Sequence, residues 1–205
     1  MKILAISDIE LPEMQNLPYL RRKYKDVGLV VSCGDLPASY IEVVTTVLNT
    51  PLFYVRGNHD EGYSQRVPGG DDLHGRVRRF GGLTFAGLEG CKRYNRGLIQ
   101  YTNSEMLMNV LKMAPGMLLR RFISGAGVDV MVTHAPPRGI HDREDLPHQG
   151  FKAFLTLIRL YRPRYLIHGH VDVYDRRDVT WTDYLGTQVV NIDPVRLLEI
   201  EPAQR

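Results

Sequence analysis

The chain begins MKILAISDIE, residues 1–10, where an unbroken apolar run ends in Ser-Asp-Ile-Glu. Such a run is typical of a strand that is buried on both faces of a sheet. The same pattern recurs at residues 29–32 and 52–55. The first of these apolar runs is followed by Gly-Asp, and the second lies just before Gly-Asn-His-Asp. Residues 17–24 and 41–48 separate the runs and are predicted to be helices, although the β-branched residues of 41–48 also allow a strand. The order strand, helix, strand predicts parallel strands joined by crossovers.

The rest of the chain contains no repeat, low-complexity tract or linker, so we expect one domain spanning residues 1–205. Residues 102–105, Thr-Asn-Ser-Glu, have the form of a capping box, and the Pro-Gly pair at 115–116 is a typical helix end. Together they predict a helix from 102 to 113. The pattern also predicts a loop at 60–75, strands at 76–80, 83–88, 128–133 and 165–168, a helix at 151–161 and antiparallel strands within 173–200.

The composition is that of an ordinary globular protein, with 43% hydrophobic and 24% charged residues. The formal net charge of +3 is too small to indicate nucleic-acid binding by itself. The two cysteines, Cys33 and Cys91, fit neither a disulfide framework nor a thiolate metal site, which favours a reducing compartment. No apolar stretch reaches the roughly 18 residues of a membrane span, so a soluble, cytoplasmic protein without a membrane partner is expected.

Side chains that bind metals follow five of the predicted strands. In an open α/β sheet, the carboxyl ends of parallel strands meet at one edge and bring such side chains together. The residues at these positions are Asp8, Asp35, Asn58, His134 and His170. Carboxylate, amide and imidazole groups are ligands of divalent cations. The shared position of the five residues therefore predicts a metal centre.

The motifs also resemble those of the calcineurin-like metallophosphoesterase superfamily. The matching segments are Ser7-Asp8-Ile9-Glu10, Gly34-Asp35, Gly57-Asn58-His59-Asp60, Thr133-His134-Ala135, Gly169-His170 and Val171-Asp172. The resemblance implies an α/β fold, a four-layer α/β/β/α sandwich of two mixed sheets flanked by helices. It also implies two divalent metal ions bridged by Asp35. In this assignment the first ion is bound by Asp8, Glu10, Asp35 and Asp172, and the second by Asp35, Asn58, His134 and His170.

Glu10 and Asp172 depart from the family pattern, which has histidine at both positions. Both replacements fall at the first metal, whose implied ligands are then all carboxylates. All-oxygen sites suit magnesium or manganese, whereas imidazole suits iron and zinc. We therefore expect Mn²⁺ or Mg²⁺ at the first site and Mn²⁺, Fe or Zn²⁺ at the second. The alternative is a degraded first site, in which the protein binds one ion or none.

The resemblance further implies hydrolysis of phosphate esters by a metal-activated water, without a covalent intermediate. His59 is expected to act as the general acid, with Asp60 orienting it and Asp35 bridging the metals. We expect a phosphoesterase with a preference for phosphodiesters. The alternative is a catalytically weak or inactive metal-binding or protein-interaction module on the same fold. His168 lies outside the ligand pattern and is expected to pack or to orient a ligand.

Residues 135–150 form a polar loop that starts directly after His134 and is one candidate for substrate contacts. Loops of this length in a compact domain are usually functional or mobile. Arg138 and His141 are the candidate contacts to the anion or the leaving group. A solvated connection, in which the acidic residues of the loop balance its basic ones, fits the sequence equally well.

Residues 91–96 form a basic loop after a predicted strand and are the second candidate. Arg93 and Arg96 are expected to bind phosphate, and Tyr94 can stack on a base. The two loops together favour a small phosphorylated substrate, such as a nucleotide or a short oligonucleotide. The sequence leaves the oligomeric state open.

Overall fold

A computed structural model describes residues 1–124, 127–175 and 177–202, and at residues 64 and 118–124 it describes the backbone alone. The helices are α1 (Leu17–Lys23), α2 (Ala38–Leu48), α3 (Asn103–Ser124) and α4 (Lys152–Tyr161), and short 3₁₀ helices occupy Pro12–Gln15 and Asp60–Ser64. The strands are β1 (Lys2–Ile6), β2 (Leu29–Ser32), β3 (Leu52–Tyr54), β4 (Asp71–Asp72), β5 (Val77–Phe80), β6 (Leu83–Leu88), β7 (Cys91–Lys92), β8 (Gln100–Tyr101), β9 (Val130–Thr133), β10 (Tyr165–His168), β11 (Trp181–Tyr184), β12 (Thr187–Asn191) and β13 (Val195–Glu199).

The first half of the chain builds a five-stranded sheet in the order β13-β1-β2-β3-β4. The pairs from β1 to β4 are parallel, and β13 is antiparallel to β1. The crossovers predicted between the first three strands are therefore confirmed. Ile41 and Val44, one helical turn apart, are both fully buried, which fits a helix packed on a sheet. The strand alternative for 41–48 is wrong.

The second half builds a six-stranded sheet in the order β11-β12-β10-β9-β6-β5. Its four central strands are parallel, and the two edge strands, β11 and β5, are antiparallel to their neighbours. A small parallel pair, β7 and β8, flanks the loop that contains Tyr94. Both large sheets are mixed, as predicted.

Three hydrophobic cores separate four layers. The central core lies between the two sheets and contains Val31 from one and Phe85 from the other. α1 and α2 cover the outer face of the five-stranded sheet, where Ile41 is buried. α3 and α4 cover the outer face of the six-stranded sheet, where Phe154 is buried. The predicted α/β/β/α sandwich is confirmed.

α3 extends past its predicted end at Pro115. Its capping box forms as predicted, since Glu105 N–H donates to Thr102 Oγ1 and Thr102 N–H donates to Glu105 Oε2. A proline removes one helical hydrogen bond, but Met113 and Met117 on either side of it are both buried in the core shared with α4. This burial continues the apolar face of the helix, so the predicted stop was wrong. Neither α3 nor another helix in the described part of the chain is long and apolar enough to cross a membrane.

The last strands do not form the antiparallel group predicted for 173–200. β11 and β12 are antiparallel, but β12 also pairs in parallel with β10, and β13 joins the other sheet beside β1. The predicted loop at 60–75 contains a 3₁₀ helix and the short edge strand β4. Alternation along the chain locates strands, but their partners depend on contacts that are distant in sequence.

Candidate metal centre

The turns after β1, β2 and β10 meet at the carboxyl ends of the strands and share an unusual backbone. Asp8, Asp35 and His170 have φ angles of 63°, 57° and 70°. A left-handed conformation costs a residue with a side chain on the order of 1–3 kcal/mol. Hydrogen bonds between the turns oppose this cost, because Asp8 N–H donates to Gly34 O (3.1 Å) and His170 N–H donates to Asp8 Oδ2 (2.9 Å). The three turns are thus held against one another.

Two glycines allow this close approach. A Cβ atom at Gly57 would lie 2.0 Å from Asp35 Oδ1, and one at Gly169 would lie 1.9 Å from Ser7 Oγ and 2.3 Å from Asp8 Oδ2. Real Cβ atoms essentially never lie within 3.0 Å of another heavy atom that is not bonded nearby. The Gly of Gly-Asn-His and the Gly of Gly-His are therefore required by packing against the candidate ligands themselves.

His134, fully buried after β9, is the centre of the arrangement. Its Nδ1–H donates to Cys33 O (2.8 Å), which directs Nε2 toward Asn58 Oδ1 (3.1 Å) and Asp35 Oδ2 (3.3 Å). Burial lowers the pKa of His134, but Asp35, and more weakly Asp8, outweigh it and raise the pKa to about 9. The atoms that surround the Nε2 proton are the ones that would hold a divalent cation in its place.

His170 lies beside this group. Its Nε2–H donates to Pro147 O (2.9 Å), and its ring centroid lies 4.6 Å from that of His134. One ligand atom each from Asp35, His134 and His170 lies within 4.8 Å of the others. Since backbone carbonyls fix the orientation of both imidazoles, the remaining ring nitrogens are available as ligands. These three residues can hold a metal ion.

The charge of the surrounding cavity also fits a cation. Burial, and more weakly Asp35, raises the pKa of Asp8 to about 6. Burial acts in the same direction on Asp35, but the neighbouring His134 and the N–H of His59 bring its pKa down to about 2. The central cavity, about 380 Å³, is lined by Asp8, Asp35, Asn58, His59, Tyr94, Pro147, His148, His170 and Asp172. Among the described residues this lining contains three carboxylates and no lysine or arginine, a donor set suited to divalent cations.

Glu10 and Asp172, the two departures from the family pattern, differ in position. Asp172 lines the central cavity, and its Oδ2 accepts a hydrogen bond from the Tyr174 hydroxyl (2.7 Å). Glu10 is exposed, accepts a long hydrogen bond from Gln15 Nε2 (3.5 Å), and is not part of the cavity lining. The structure thus brings one of the two carboxylates to the centre. The all-carboxylate first site remains a prediction.

His59 lies at the mouth of the central cavity with an exposed side chain, and its backbone N–H donates to Asp35 Oδ1 (2.7 Å). Asp60, expected to orient the imidazole, instead binds backbone: its Oδ2 accepts from Asp35 N–H (2.8 Å) and Gly57 N–H (2.7 Å). Burial raises the pKa of Asp60 to about 6. The carboxylate joins the turns after β2 and β3, and among the described contacts it makes none with the His59 ring.

Two of the four candidate substrate residues are held in ion pairs, and the other two line cavities beside the centre. Arg138 is paired with Asp142 and Glu144, and Arg93 is paired with Glu105. The other two line side cavities that adjoin the centre. The first side cavity, about 510 Å³, is lined by His141, Asp172, Thr182 and nine other residues. The second, about 560 Å³, is lined by Asn58, His59, Glu61, Tyr94, Asn95, Arg96, Gly97, Leu98 and Gln100.

Pro147 and His148 line the centre but were not predicted as site residues. The His148 ring lies 5.3 Å from that of His170, and its Nδ1 is hydrogen-bonded to Asp145. The available signal was their position in the loop 135–150, which starts from His134 and was expected near the metals. The sequence could not indicate which residues of the loop turn back toward the centre.

The sequence matches the family model described as calcineurin-like phosphoesterase over residues 1–174. No curated protein matches it. Among solved structures, TT1561 of Thermus thermophilus is 14% identical, with a TM-score of 0.64, and the match covers 93% of this chain and 88% of that one. Another crystal structure is 16% identical, with a TM-score of 0.61, covering 98% and 99% of the two chains. Identities this low indicate a shared fold alone.

The family match spans all of the strand-end motifs that build the centre, from Asp8 to Asp172. Its residues converge in the structure from both sheets, with a donor set that fits divalent cations. The chain belongs to the calcineurin-like phosphoesterase family.

Proposed function

We propose that the protein is a metal-dependent phosphodiesterase. The observation that supports this most is the convergence of Asp35, Asn58 and His134 around one point, beside a cavity whose described lining holds three carboxylates and no lysine or arginine. Such a site attracts divalent cations, and through them the phosphate of a substrate. His59 at the cavity mouth adds a proton donor beside the same point.

The two side cavities favour a diester over a monoester. One adjoins the centre at Asp172 and the other at Asn58, His59 and Tyr94. A phosphodiester carries two organic groups on its phosphorus, and each needs room beside the reacting atoms. A monoester would use one cavity only. The substrate we infer is small and phosphorylated, with a nucleotide or short oligonucleotide as the first candidate because Tyr94 and Arg96 line one cavity.

One cation, with Mn²⁺, Fe or Zn²⁺ as the candidates, is proposed to bind to Asp35, Asn58, His134 and His170. A second cation, Mn²⁺ or Mg²⁺, is proposed to bind to Asp8, Asp35 and Asp172. Glu10 would join these ligands after a change of its side-chain conformation. When bound, such ions supply Lewis-acid stabilisation of the phosphoryl oxygens and an activated water. In this proposal Asp35 would be a ligand shared by both.

The protein's own contribution to the reaction is orientation and proton transfer. Asp60 holds the turns that present Asp35 and Asn58, so the ligands stay in place as charge develops on the substrate. His59 has an exposed ring at the mouth of the cavity, where it can give a proton to the leaving oxygen. Protonation of that oxygen lets the alcohol leave as a neutral molecule when its bond to phosphorus breaks.

Hydrolysis of a bis-aryl phosphodiester with added Mn²⁺ tests the proposal. We expect turnover that exceeds turnover of the aryl monoester, and we expect Asp35→Asn and His59→Ala to lower kcat by at least about 100-fold. Arg93→Ala is the control, since Arg93 is paired with Glu105 outside the central cavity. Absence of turnover with Mn²⁺, Mg²⁺, Fe²⁺ and Zn²⁺ would contradict the proposal.

A second candidate is a metal-binding or protein-interaction module with little or no catalysis. The position of Glu10 favours it, because an exposed carboxylate bonded to Gln15 leaves the first site with fewer ligands. This module would bind metal without hydrolysing either ester. Glu10→Gln separates the two candidates. A phosphodiesterase is expected to hydrolyse the diester more slowly when the first site is weakened, whereas the module shows no hydrolysis with or without the substitution.

A further inference from the structure

The turn at 169–172, which presents two candidate ligands, has its backbone bonded at every residue. The hydrogen bonds run from His168 Nδ1 to Gly169 O (2.9 Å), from His170 N to Asp8 Oδ2 (2.9 Å), from Asn191 Nδ2 to Val171 O (2.7 Å) and from Arg143 Nη2 to Asp172 O (2.8 Å). The partners come from separate parts of the fold. A turn held in this way has little freedom to choose another conformation.

One of these bonds begins a chain of three side chains. His168 is fully buried, and its Nε2 lies 3.0 Å from His141 Nδ1. The other ring nitrogen of His141, Nε2, lies 2.9 Å from Thr182 Oγ1. The chain therefore links β11, the loop 135–150 and the end of β10, and it ends on the carbonyl of Gly169.

The direction of every hydrogen bond in this chain of side chains follows from its last acceptor, the carbonyl oxygen of Gly169. A carbonyl oxygen only accepts, so His168 Nδ1 carries the hydrogen and its Nε2 is the acceptor. His141 must then donate from Nδ1, and its Nε2 must accept from the Thr182 hydroxyl. Burial lowers the pKa of His141 to about 4, which keeps the ring neutral as this arrangement requires.

His141 is thus not available to a substrate, although it was expected to contact one. Both of its ring nitrogens are engaged within the protein. Its backbone also adopts a left-handed conformation, with φ of 59°, which a residue with a side chain keeps only when its surroundings impose it. The strained backbone of the loop 135–150 thus lies at the residue whose ring contacts His168.

We propose that His141 is a positioning residue, which acts through His168 on the Gly169 carbonyl and so fixes the orientation of His170 in the candidate metal centre. The inference rests on the proposed metal-dependent function. Groups that orient a metal-binding histidine typically change metal affinity by about 10- to 100-fold when removed. Because the effect is on the ligand, it must appear in metal binding before any substrate is added.

The test is the dissociation constant for Mn²⁺, measured by calorimetry on the full chain. His141→Phe keeps a ring but removes both hydrogen bonds, and we expect it to weaken Mn²⁺ binding about 10- to 100-fold. His141→Asn retains an N–H near the position of Nδ1, so we expect it to restore most of the affinity. Thr182→Val removes only the last bond of the chain and is expected to give a smaller loss in the same direction.

Ile158→Val on α4 is the control for general destabilisation. Ile158 is buried in the core between α4 and the sheet, and it does not line the central cavity. We expect it to lower the unfolding temperature and leave Mn²⁺ affinity unchanged. Wild-type affinity in a folded His141→Phe, or in Thr182→Val if the first variant does not fold, would overturn the inference. Weakened Mn²⁺ binding in a protein that hydrolyses no ester would overturn the proposed function and leave the inference standing.

Discussion

Arg93 and Arg96 belong to one basic loop, yet their surroundings differ. Arg93 is paired with Glu105 at 2.9 Å and also donates to Gln100 O. Arg96 lines the side cavity beside Tyr94 and has no ion pair among the described residues. A guanidinium without a carboxylate partner at a cavity wall remains available to an anionic substrate. The sequence predicted phosphate binding by both arginines, whereas the structure leaves Arg96 alone without a carboxylate partner among the described residues.

We therefore expect Arg96→Ala to raise KM about fivefold for a chromogenic nucleotide diester, the p-nitrophenyl ester of thymidine 5′-phosphate, with kcat within about twofold. The factor corresponds to the loss of about 1 kcal/mol, a typical net value for an exposed charged hydrogen bond. Arg93→Ala is the matched control and is expected to leave KM unchanged, because its charge is already neutralised. Steady-state kinetics on the two variants decides the matter, and equal KM values in both would contradict the assignment.

The sequence could predict the ligands that follow strands, but not the contacts that side chains make between turns. Asp35, Asn58 and His134 follow apolar runs, and their convergence follows from strand ends meeting at one edge of the sheets. Glu10 also belongs to a matching motif, but whether a flexible exposed side chain turns inward depends on contacts such as that with Gln15. Asp60 was identified as a site residue, but its contacts with backbone N–H groups depend on how two turns approach each other.

At the scale of elements, local signals predicted the positions of helices and strands better than the length of α3 or the pairing of the last strands. The capping box of α3 formed as expected, whereas Pro115 failed to end the helix because buried methionines lie on both sides of it. β12 and β13 fall within 173–200, where antiparallel strands were predicted, but they lie in different sheets. Propensity and alternation act within a few residues, and both failures come from packing between distant elements.

The turn after β10 gives a prediction at this scale. A Cβ at Gly169 would collide with Ser7 Oγ and Asp8 Oδ2, which are part of the turn after β1. We expect Gly169→Ala to push these two turns apart, lower kcat/KM at least about 100-fold and weaken Mn²⁺ binding. Activity assays and calorimetry measure the two effects.

Gly116→Ala in α3 is the matched control for this substitution. Nothing lies within 4 Å of a Cβ at Gly116, so the added methyl has room. Alanine in a helix interior is favoured over glycine by roughly 0.5–1 kcal/mol, which we expect to appear as a small gain in unfolding free energy with unchanged activity. A Gly169→Ala protein with wild-type activity would show that the turns tolerate separation.

On the scale of the whole molecule, the candidate centre joins the two sheets. Asp8, Asp35 and Asn58 follow β1, β2 and the end of β3 in the five-stranded sheet, whereas His134 and His170 follow β9 and β10 in the six-stranded sheet. The central core packs the two sheets together over their inner faces. A cation held by ligands from both sheets would add a connection at the edge where the strands end. Its binding energy would then resist separation of the layers.

The last prediction follows from this placement. A ligand that binds the folded protein alone, at about 100 times its dissociation constant, adds about 2.7 kcal/mol to the free energy of unfolding. For a domain of this size that corresponds to a rise of about 5–10 °C in unfolding temperature. We expect Mn²⁺ to produce such a rise in chelator-treated protein, and EDTA to reverse it, as followed by calorimetry or circular dichroism. Asp35→Asn and Asn58→Ala, one from each of two neighbouring turns, should abolish the rise, while Arg93→Ala should retain it. An equal rise in all four proteins would mean that Mn²⁺ stabilises the fold from somewhere other than this centre.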